Sequence, residues 1–296
     1  MSSDFTDLFD TLNIPYQTEG HHHCRTGWVQ FDCPFCGEGT RKWHMGFSLS
    51  SGYVNCWRCG HKGLTETLCL LTHWTPTQVR AWLRSNRIVH KAPHRLERRG
   101  TLKTPGGVGP LAGAHKRYLK DRGLDPDEIE RLWNVQGIGL SSSLAWRLFI
   151  PVYQDDDVVS WTTRSIARQA GGGPRYISAK PEDESVPLKH VLYGEQYARQ
   201  AIIICEGPTD VWRIGPGAVA TFGVNYSSYQ FNRMTAYPVR VVCFDTDKSG
   251  RKCSTKLAND LSVFPGETFN VSLETGDAGS ASPSAVKRLR KMFLDN

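Results

Sequence analysis

Three carboxylates at the ends of two apolar runs are the residues of this chain best equipped for chemistry. Ile202–Cys205 is a short β-branched run that closes on Glu206 and Gly207. Val239–Phe244 is a second run, closing on Asp245, Thr246 and Asp247. Such runs predict buried strands of a parallel sheet, and open α/β sheets build ligand sites at the carboxyl ends of their strands. Asp245 and Asp247 are two residues apart, so a strand would point both to one face. Three convergent carboxylates repel each other unless a cation lies between them, and an all-oxygen set suits Mg²⁺ or Mn²⁺. A D-x-D pair alone is weak, since such pairs often sit in solvated turns. The strand–Glu–Gly element before it, and Lys248, Ser249, Gly250 and Arg251 after it, give the pattern its weight.

A second constellation is made of sulfur. Cys33 and Cys36 form one C-x-x-C pair, nineteen residues intervene, and Cys56 and Cys59 form another. Two such knuckles at this separation are a strong zinc signature, each lending two thiolates to one tetrahedral ion. The intervening FSLSSGYVNC suits a β-hairpin. A ribbon this small is expected to have almost no apolar core, so that the metal supplies most of its folding free energy. His21, His22, His23, Cys24 and His61 are candidate substitute ligands with an exposed polar role as the alternative, and Cys69, among Leu68, Leu70 and Leu71, reads as core. Aromatic and basic residues interleave here: Trp28, Arg41, Lys42, Trp43, Phe47, Tyr53, Trp57 and Arg58. Aromatic faces stack on unpaired bases while cations hold the backbone. The same aromatics would equally brace a small ribbon.

These groups need elements to hold them. The chain has 296 residues, enough for about two domains. Its hydrophobic content of 39% is that of a globular protein, no apolar run is long enough to span a bilayer, and no signal peptide opens it. A soluble, cytoplasmic protein is expected, with its nine cysteines serving metal binding rather than disulfides. The net charge is +7 and unevenly placed. Between Arg80 and Arg122 twelve lysines and arginines face only Glu97 and Asp121. That stretch is either a solvated basic linker or a phosphate-backbone contact.

In chain order, Phe5, Leu8, Phe9 and Leu12 sit at helical spacing and predict a short docking helix. Thr75 and Pro76 start a helix over 75–85. Periodicity is then lost through HKAPHRLERRGTLKTPGGVGP, a basic Pro/Gly stretch in which a domain boundary is expected. Asp125 and Pro126 start another helix with Ile129, Leu132 and Trp133 on its apolar face. Strands are expected at Arg147–Val152 and Val158–Thr163, with a turn at 155–157 and a loop, GGGPRYISAK, leading into a basic strand.

E-G-x-x-D-V from Glu206, A-T-x-G from Ala220 and F-D-x-D-x-S-G-R from Phe244 together resemble the Toprim domain of bacterial-type (DnaG-like) primases, including the short versions carried by phages. Upstream, Y-L-x-x-R-G-L, R-L-F-I-P-V, P-R-Y-I and L-Y-G resemble the N-terminal half of their catalytic core, and the Cys ribbon resembles their first module. Cys36 stands where the cellular enzymes commonly have a histidine, and Ser178, Ala179 and Lys180 stand where Asn-Ser-Pro is usual.

The resemblance implies an α/β fold in which a zinc ribbon at 1–85 and a basic linker at 86–115 precede the catalytic core. That core would comprise a basic subdomain at 116–198 and a Toprim open α/β sheet at 199–278, followed by a basic helix or tail at 279–296. The tail is far too short for a helicase-docking domain. The implied activity is primer synthesis on single-stranded DNA from NTPs, in a bacterial cell or phage-infected host, with a separately encoded replicative helicase as a further partner. Glu206, Asp245 and Asp247 would hold Mg²⁺ or Mn²⁺, with Asp210 and Asp277 in the same acidic cluster and Glu206 a candidate general base. Ser280 or Ala281 replaces a further acid of the family. Arg147, Arg164, Arg175, Lys180, Lys248 and Arg251 would contact nucleotide and template; Arg41, Lys42, Trp43, Trp57 and Arg58 would contact DNA. One alternative is a non-catalytic recombination mediator, which would be shorter and lack the 116–195 block. Another is a topoisomerase or nuclease, for which the chain has neither room for a clamp nor a G-x-x-x-x-G-K-[ST] loop.

Overall fold

The computed structural model describes residues 3–19, 24, 27–37, 41–48, 54–86, 96–98, 100–140, 143–167, 173–274 and 276–295. Helix α1 (Ser3–Thr11) leads into an antiparallel five-stranded sheet of β1 (Tyr16–Gln17), β2 (Trp28–Phe31), β3 (Met45–Ser48), β4 (Val54–Cys56) and β5 (Gly60–Lys62), paired in chain order. Helices α2 (Leu64–Thr72) and α3 (Pro76–Ser85) follow, and Thr75 forms a capping box with Gln78 at the start of α3. The expected hairpin is β3–β4, with Met45 opposite Cys56.

This module is less dependent on metal than its size suggests. The α1 side chains Phe5, Leu8 and Phe9 are buried, as expected of a docking helix. Phe5 meets Phe47 at 4.1 Å and Trp82 of α3 at 5.2 Å between ring centroids, and Phe9 meets Phe31 at 5.4 Å. With Met45, Val54, Leu64, Leu68, Val79 and Leu83 they form a real apolar core. The expectation of a nearly coreless ribbon is corrected: the flanking helices α1 and α3 supply what the sheet lacks.

The second sheet is antiparallel, in the order β10-β9-β8-β7-β6, from β6 (Val108–Gly109), β7 (Gln136–Ile138), β8 (Arg147–Gln154), β9 (Asp157–Ser165) and β10 (Tyr176–Ser178). Helices α4 (Gly113–Asp121) and α5 (Pro126–Trp133) precede β7, and Asp125 caps α5 by accepting from the Asp127 N–H at 3.0 Å. Part of the basic stretch already belongs to this sheet's surroundings. Gln154 exchanges two bonds with the Leu96 backbone, and the Trp161 indole donates to the Lys103 carbonyl at 2.8 Å. Three of its cations are paired: Arg98 with Asp157, Lys103 with Asp183, and Lys116 with Asp127. Arg87, Lys91, Arg95 and Arg99, and the side chains of Arg80 and Arg84, lie outside the described residues.

The third sheet is wholly parallel, in the order β12-β11-β13-β14. Its elements are β11 (Ala201–Cys205), α6 (Pro208–Ile214), β12 (Ala218–Ala220), α7 (Ser228–Thr235), β13 (Val239–Val242), α8 (Lys248–Leu261), β14 (Glu267–Asn270) and α9 (Pro283–Phe293). Ile204 of β11 lies beside Val242 of β13, so the turns that follow the two central strands emerge side by side. One face packs Ile202, Ile204, Phe231, Leu257 and Leu261, and this cluster is continuous with the core of the first module. The other face packs Ile203, Cys205 and Val211 against Trp133, Leu148 and Ile150 of the middle segment. The division into units at 85, 115, 198 and 278 is a proposal.

Candidate active site

The site grows from the strand ends. Glu206 leaves β11, and its Oε1 accepts from the Asp245 N–H at 3.0 Å, tying the two turns together. Asp210, in the first turn of α6, accepts from the Gly207 N–H at 2.8 Å. Asp277 caps a short turn by accepting from the backbone N–H of Ser280 at 2.7 Å and from its hydroxyl at 2.9 Å. Every one of these carboxylates is thus aimed by a backbone amide, which fixes its orientation without neutralising it.

The strand expectation for Asp245 and Asp247 is corrected. β13 stops at Val242, and Asp247 is the N-cap of α8, accepting from the Gly250 N–H at 2.6 Å. The helix start rotates Asp247 to an exposed position, and it does not line the cleft that the other four carboxylates share. Gly250 explains the S-G-R of the motif. A Cβ there would lie 2.1 Å from the Asp245 carbonyl oxygen and 3.0 Å from Glu206 Oε1, so α8 reaches the acidic turns only with glycine at this point.

That cleft has a volume of about 790 Å³. Glu206, Asp210, Asp245 and Asp277 line it together with Arg122, Arg164, Arg175 and Lys189. Burial and then repulsion by Asp245, Asp210 and Asp247 push Glu206 up to about 7, against the pull of the Asp245 amide. Burial pushes Asp210 up to about 6, and burial together with Asp277 and Asp247 raises Asp245, which Arg175 partly offsets. Hard oxygen donors whose ionised forms are disfavoured by each other are the donor set a divalent cation stabilises. The residues present fit Mg²⁺ or Mn²⁺.

The basic side is built from distant segments. Arg164 is buried, and its guanidinium donates to the Tyr118 hydroxyl at 2.6 Å and the Tyr176 hydroxyl at 2.5 Å. Its hydrogen-bond partners there are neutral hydroxyls, and its charge acts on Asp210 in the cleft. Arg175 is exposed at the cleft. Arg147, expected to bind nucleotide or template, is buried and spends its guanidinium on Thr163 and on the carbonyls of Pro174 and Arg175, so it holds the Arg175 segment in place. Lys180, Lys248 and Arg251 are exposed and lie outside the cleft lining.

Tyr118, Arg122, Tyr176, Lys189 and Phe222 line the cleft without having been singled out in the sequence. The first three lie within the Y-L-x-x-R-G-L and P-R-Y-I motifs, which is the signal that could have found them. Lys189 had no such signal. Its ammonium donates to the carbonyls of Thr221, Phe222 and Asn225 at 2.8, 2.9 and 2.9 Å, and burial pushes it down to about 8.

In the first module Cys33, Cys36, Cys56 and Cys59 converge, with all four sulfurs within 4.8 Å of one another. Cys33 and Cys59 sulfurs are 3.6 Å apart and those of Cys36 and Cys56 3.7 Å. Four thiolates about 2.3 Å from one tetrahedral ion would be about 3.8 Å apart, so the cage fits zinc and is too open for disulfides. Burial raises Cys33; at Cys56 the Cys59 and Arg58 amide N–H groups outweigh burial and lower the thiol. His44, missed in the sequence, is buried with Nε2 3.9 Å from the Cys36 sulfur. His21, His22, His23 and the His61 side chain lie outside the described residues, and Cys24 is not in the cluster.

Next to this cage, Asp32 accepts from the backbone N–H groups of Arg41, Lys42 and Trp43 at 2.6, 3.0 and 3.2 Å. Arg41 and Lys42 are exposed, as are Arg58 and Trp57. Phe47 is core rather than surface, and Tyr53 lies outside the described residues.

Residues 203–276 match the Toprim-like family. The structure resembles the zinc-binding and RNA polymerase domains of the Aquifex aeolicus primase, with 16% identity and a TM-score of 0.52, covering 98% of this chain and 82% of that one. The fold is that of a DnaG-like primase. The DnaG catalytic core is similar over 63% of this chain and 74% of its own, at 16% identity and a TM-score of 0.49. The primase fragment of the bacteriophage T7 primase-helicase is similar over 89% and 97%, at 18% identity and a TM-score of 0.43. No curated protein matches the sequence. Among the described residues no helix is long and apolar enough to cross a membrane.

Proposed function

We propose that the chain is a DNA primase, making short RNA primers on single-stranded DNA by nucleotidyl transfer. The observation that carries this reading is the convergence, in one cleft, of four carboxylates, three of them oriented by backbone amides, with three arginines. Glu206, Asp210, Asp245 and Asp277 hold the divalent ions, with Asp247 at the rim. Bound there, Mg²⁺ or Mn²⁺ would polarise the α-phosphate and neutralise charge developing on the departing pyrophosphate. Arg122, Arg164 and Arg175 bind nucleotide and template phosphates, while Lys189, its three N–H donors taken by carbonyls, pins the 221–225 loop at the cleft. Arg147 positions Arg175. We assign Glu206 the further role of taking the proton of the attacking 3′-hydroxyl. The four cysteines hold one zinc, and Arg41, Lys42, Trp43, Trp57 and Arg58 present a cationic, aromatic surface to the template.

The test is to incubate the protein with single-stranded DNA, labelled NTPs and Mg²⁺ or Mn²⁺, and to resolve the products on a gel. Short template-dependent products are expected, and their loss in Asp245→Ala. Strand binding with no products from any nucleotide would favour the recombination-mediator alternative.

A further inference from the structure

His190 and Tyr229 stack face to face, with ring centroids 3.6 Å apart and planes 20° from parallel. Tyr229 is 45% exposed even so. With one face against His190, its exposure belongs to the opposite face and the edges. The pair is fixed to the rim of the acidic cleft by several bonds. His190 directly follows Lys189, which lines the cleft. The Ser227 hydroxyl donates to the Lys189 carbonyl, and Gln230 donates to the carbonyls of Val191 at 2.9 Å and Thr221 at 3.2 Å. These bonds hold the first turn of α7, and Tyr229 with it, against the segment whose Lys189 lines the cleft.

A rigid aromatic face on the segment next to a cleft lined by Arg122, Arg164 and Arg175 offers what one unpaired nucleobase needs: a π surface for the base, with positive charge nearby for the flanking phosphates. We infer that Tyr229, backed by His190, is a stacking platform for a base of the single strand that feeds the cleft. The inference rests on the template-binding reading above. A protein or lipid partner is disfavoured because the apolar area is a single ring.

The experiment measures binding of the full chain to a labelled single strand and to an abasic strand of equal length, by fluorescence anisotropy over a range of salt. Wild type should prefer the strand with bases. Tyr229→Ala should weaken that strand roughly tenfold, the size of one lost base–aromatic stack. It should leave the abasic strand and the salt slope unchanged, since no phosphate contact is lost. Tyr229→Phe should bind as wild type. Tyr229→Leu, which keeps apolar packing without a π face, should behave as alanine and guards against a folding defect. Equal weakening on both strands, or none on either, overturns the platform. So does a raised KM for NTPs with unchanged strand affinity, which would give the ring to the incoming nucleotide. If wild type binds neither strand, the template reading itself has failed.

Discussion

The zinc cage and the acidic cleft gather four ligands each, by opposite means. The cage takes its cysteines in two pairs three residues apart, one following β2 and one at the end of β4, strands that pair with opposite edges of β3. The cleft collects Glu206, Asp210, Asp245 and Asp277 from three separate turns of a parallel sheet, and its cations from α4, β9, the β9–β10 loop and the segment before β11. Local geometry builds the first; tertiary packing builds the second. The thiolates attract nothing but metal, whereas the carboxylates stand ready-oriented by amides and repel each other until a cation arrives. Metal should therefore complete the fold at the cage and only load the cleft.

Exchanging the damage between the two regions gives the largest effects. Metal analysis should find one zinc per chain in wild type, and Cys56→Ser should remove it and, with it, template-dependent initiation. Zinc binding in small modules is worth roughly 10 kcal/mol or more, so the ribbon should melt early. Phe5 and Phe9 of α1 pack on Phe47 and Phe31 of the ribbon, so α1 should loosen with it. Retained zinc in that variant would show the cage has other ligands. Asp245→Ala should leave zinc and strand affinity within about twofold, yet lower synthesis by at least about a hundredfold, because charge on the reacting phosphates is no longer met. If synthesis and strand binding fall together, the acidic cluster is structural.

The contrast between local and tertiary construction also decides what could be read from sequence. Two C-x-x-C pairs and two strand-end carboxylate turns are short-range patterns, and the cysteine cluster and the neighbouring Glu206 and Asp245 turns were visible in them. The paired faces of Asp245 and Asp247 failed because a helix start, with Gly250 donating to Asp247, competes with strand continuation and wins. Arg147 was misassigned because its carbonyl partners lie 27 and 28 residues away on a loop. Lys189 sits in a stretch with no motif, and its three carbonyls belong to a loop more than thirty residues on. The apolar core of the first module was missed because α1 and α3 flank the ribbon rather than lie within it.

A smaller effect separates the regions by pH. Glu206 rises from 4.5 to about 7 and Asp210 from 3.8 to about 6 in the folded chain. A carboxyl raised on folding contributes stability that is fully present below its unfolded value and is lost as pH rises through its folded value. Metal-free protein should therefore lose stability between about pH 4 and pH 7. Mg²⁺ binds the ionised carboxylates and should restore it increasingly across the same window. Thermal melts with and without MgCl₂ check this, and Asp245→Asn should flatten the metal-free slope. A metal-free melting temperature that is level across the window would remove the electrostatic account of the cleft.

The smallest effect tests the joint between the two regions. α2 begins at Gly63, which has no side chain to cap it, and Asp260 of α8 comes to this end from the Toprim side. A Cβ on Gly63 would lie 2.5 Å from Asp260 Oδ1. Asp260 cannot easily swing away, being 5% exposed and held by Lys256 at 2.9 Å and the Tyr226 hydroxyl at 3.2 Å. A carboxylate at a helix start is also favoured by the helix dipole. Gly63 has φ −68°, which alanine adopts freely, so Gly63→Ala costs the N-cap preference for glycine over alanine plus the crowding of this joint. Overpacking of this kind costs about 1–3 kcal/mol. Gly60→Ala is the contrasting control: φ is +81° with open space around the Cβ, so its cost is backbone strain inside the zinc module. In an Asp260→Ala background the Gly63→Ala cost should fall to the N-cap preference while the Gly60→Ala cost stays unchanged, a coupling that a double-mutant cycle on thermal stability measures. If Gly63→Ala costs the same with and without Asp260, the two regions are not joined through this carboxylate.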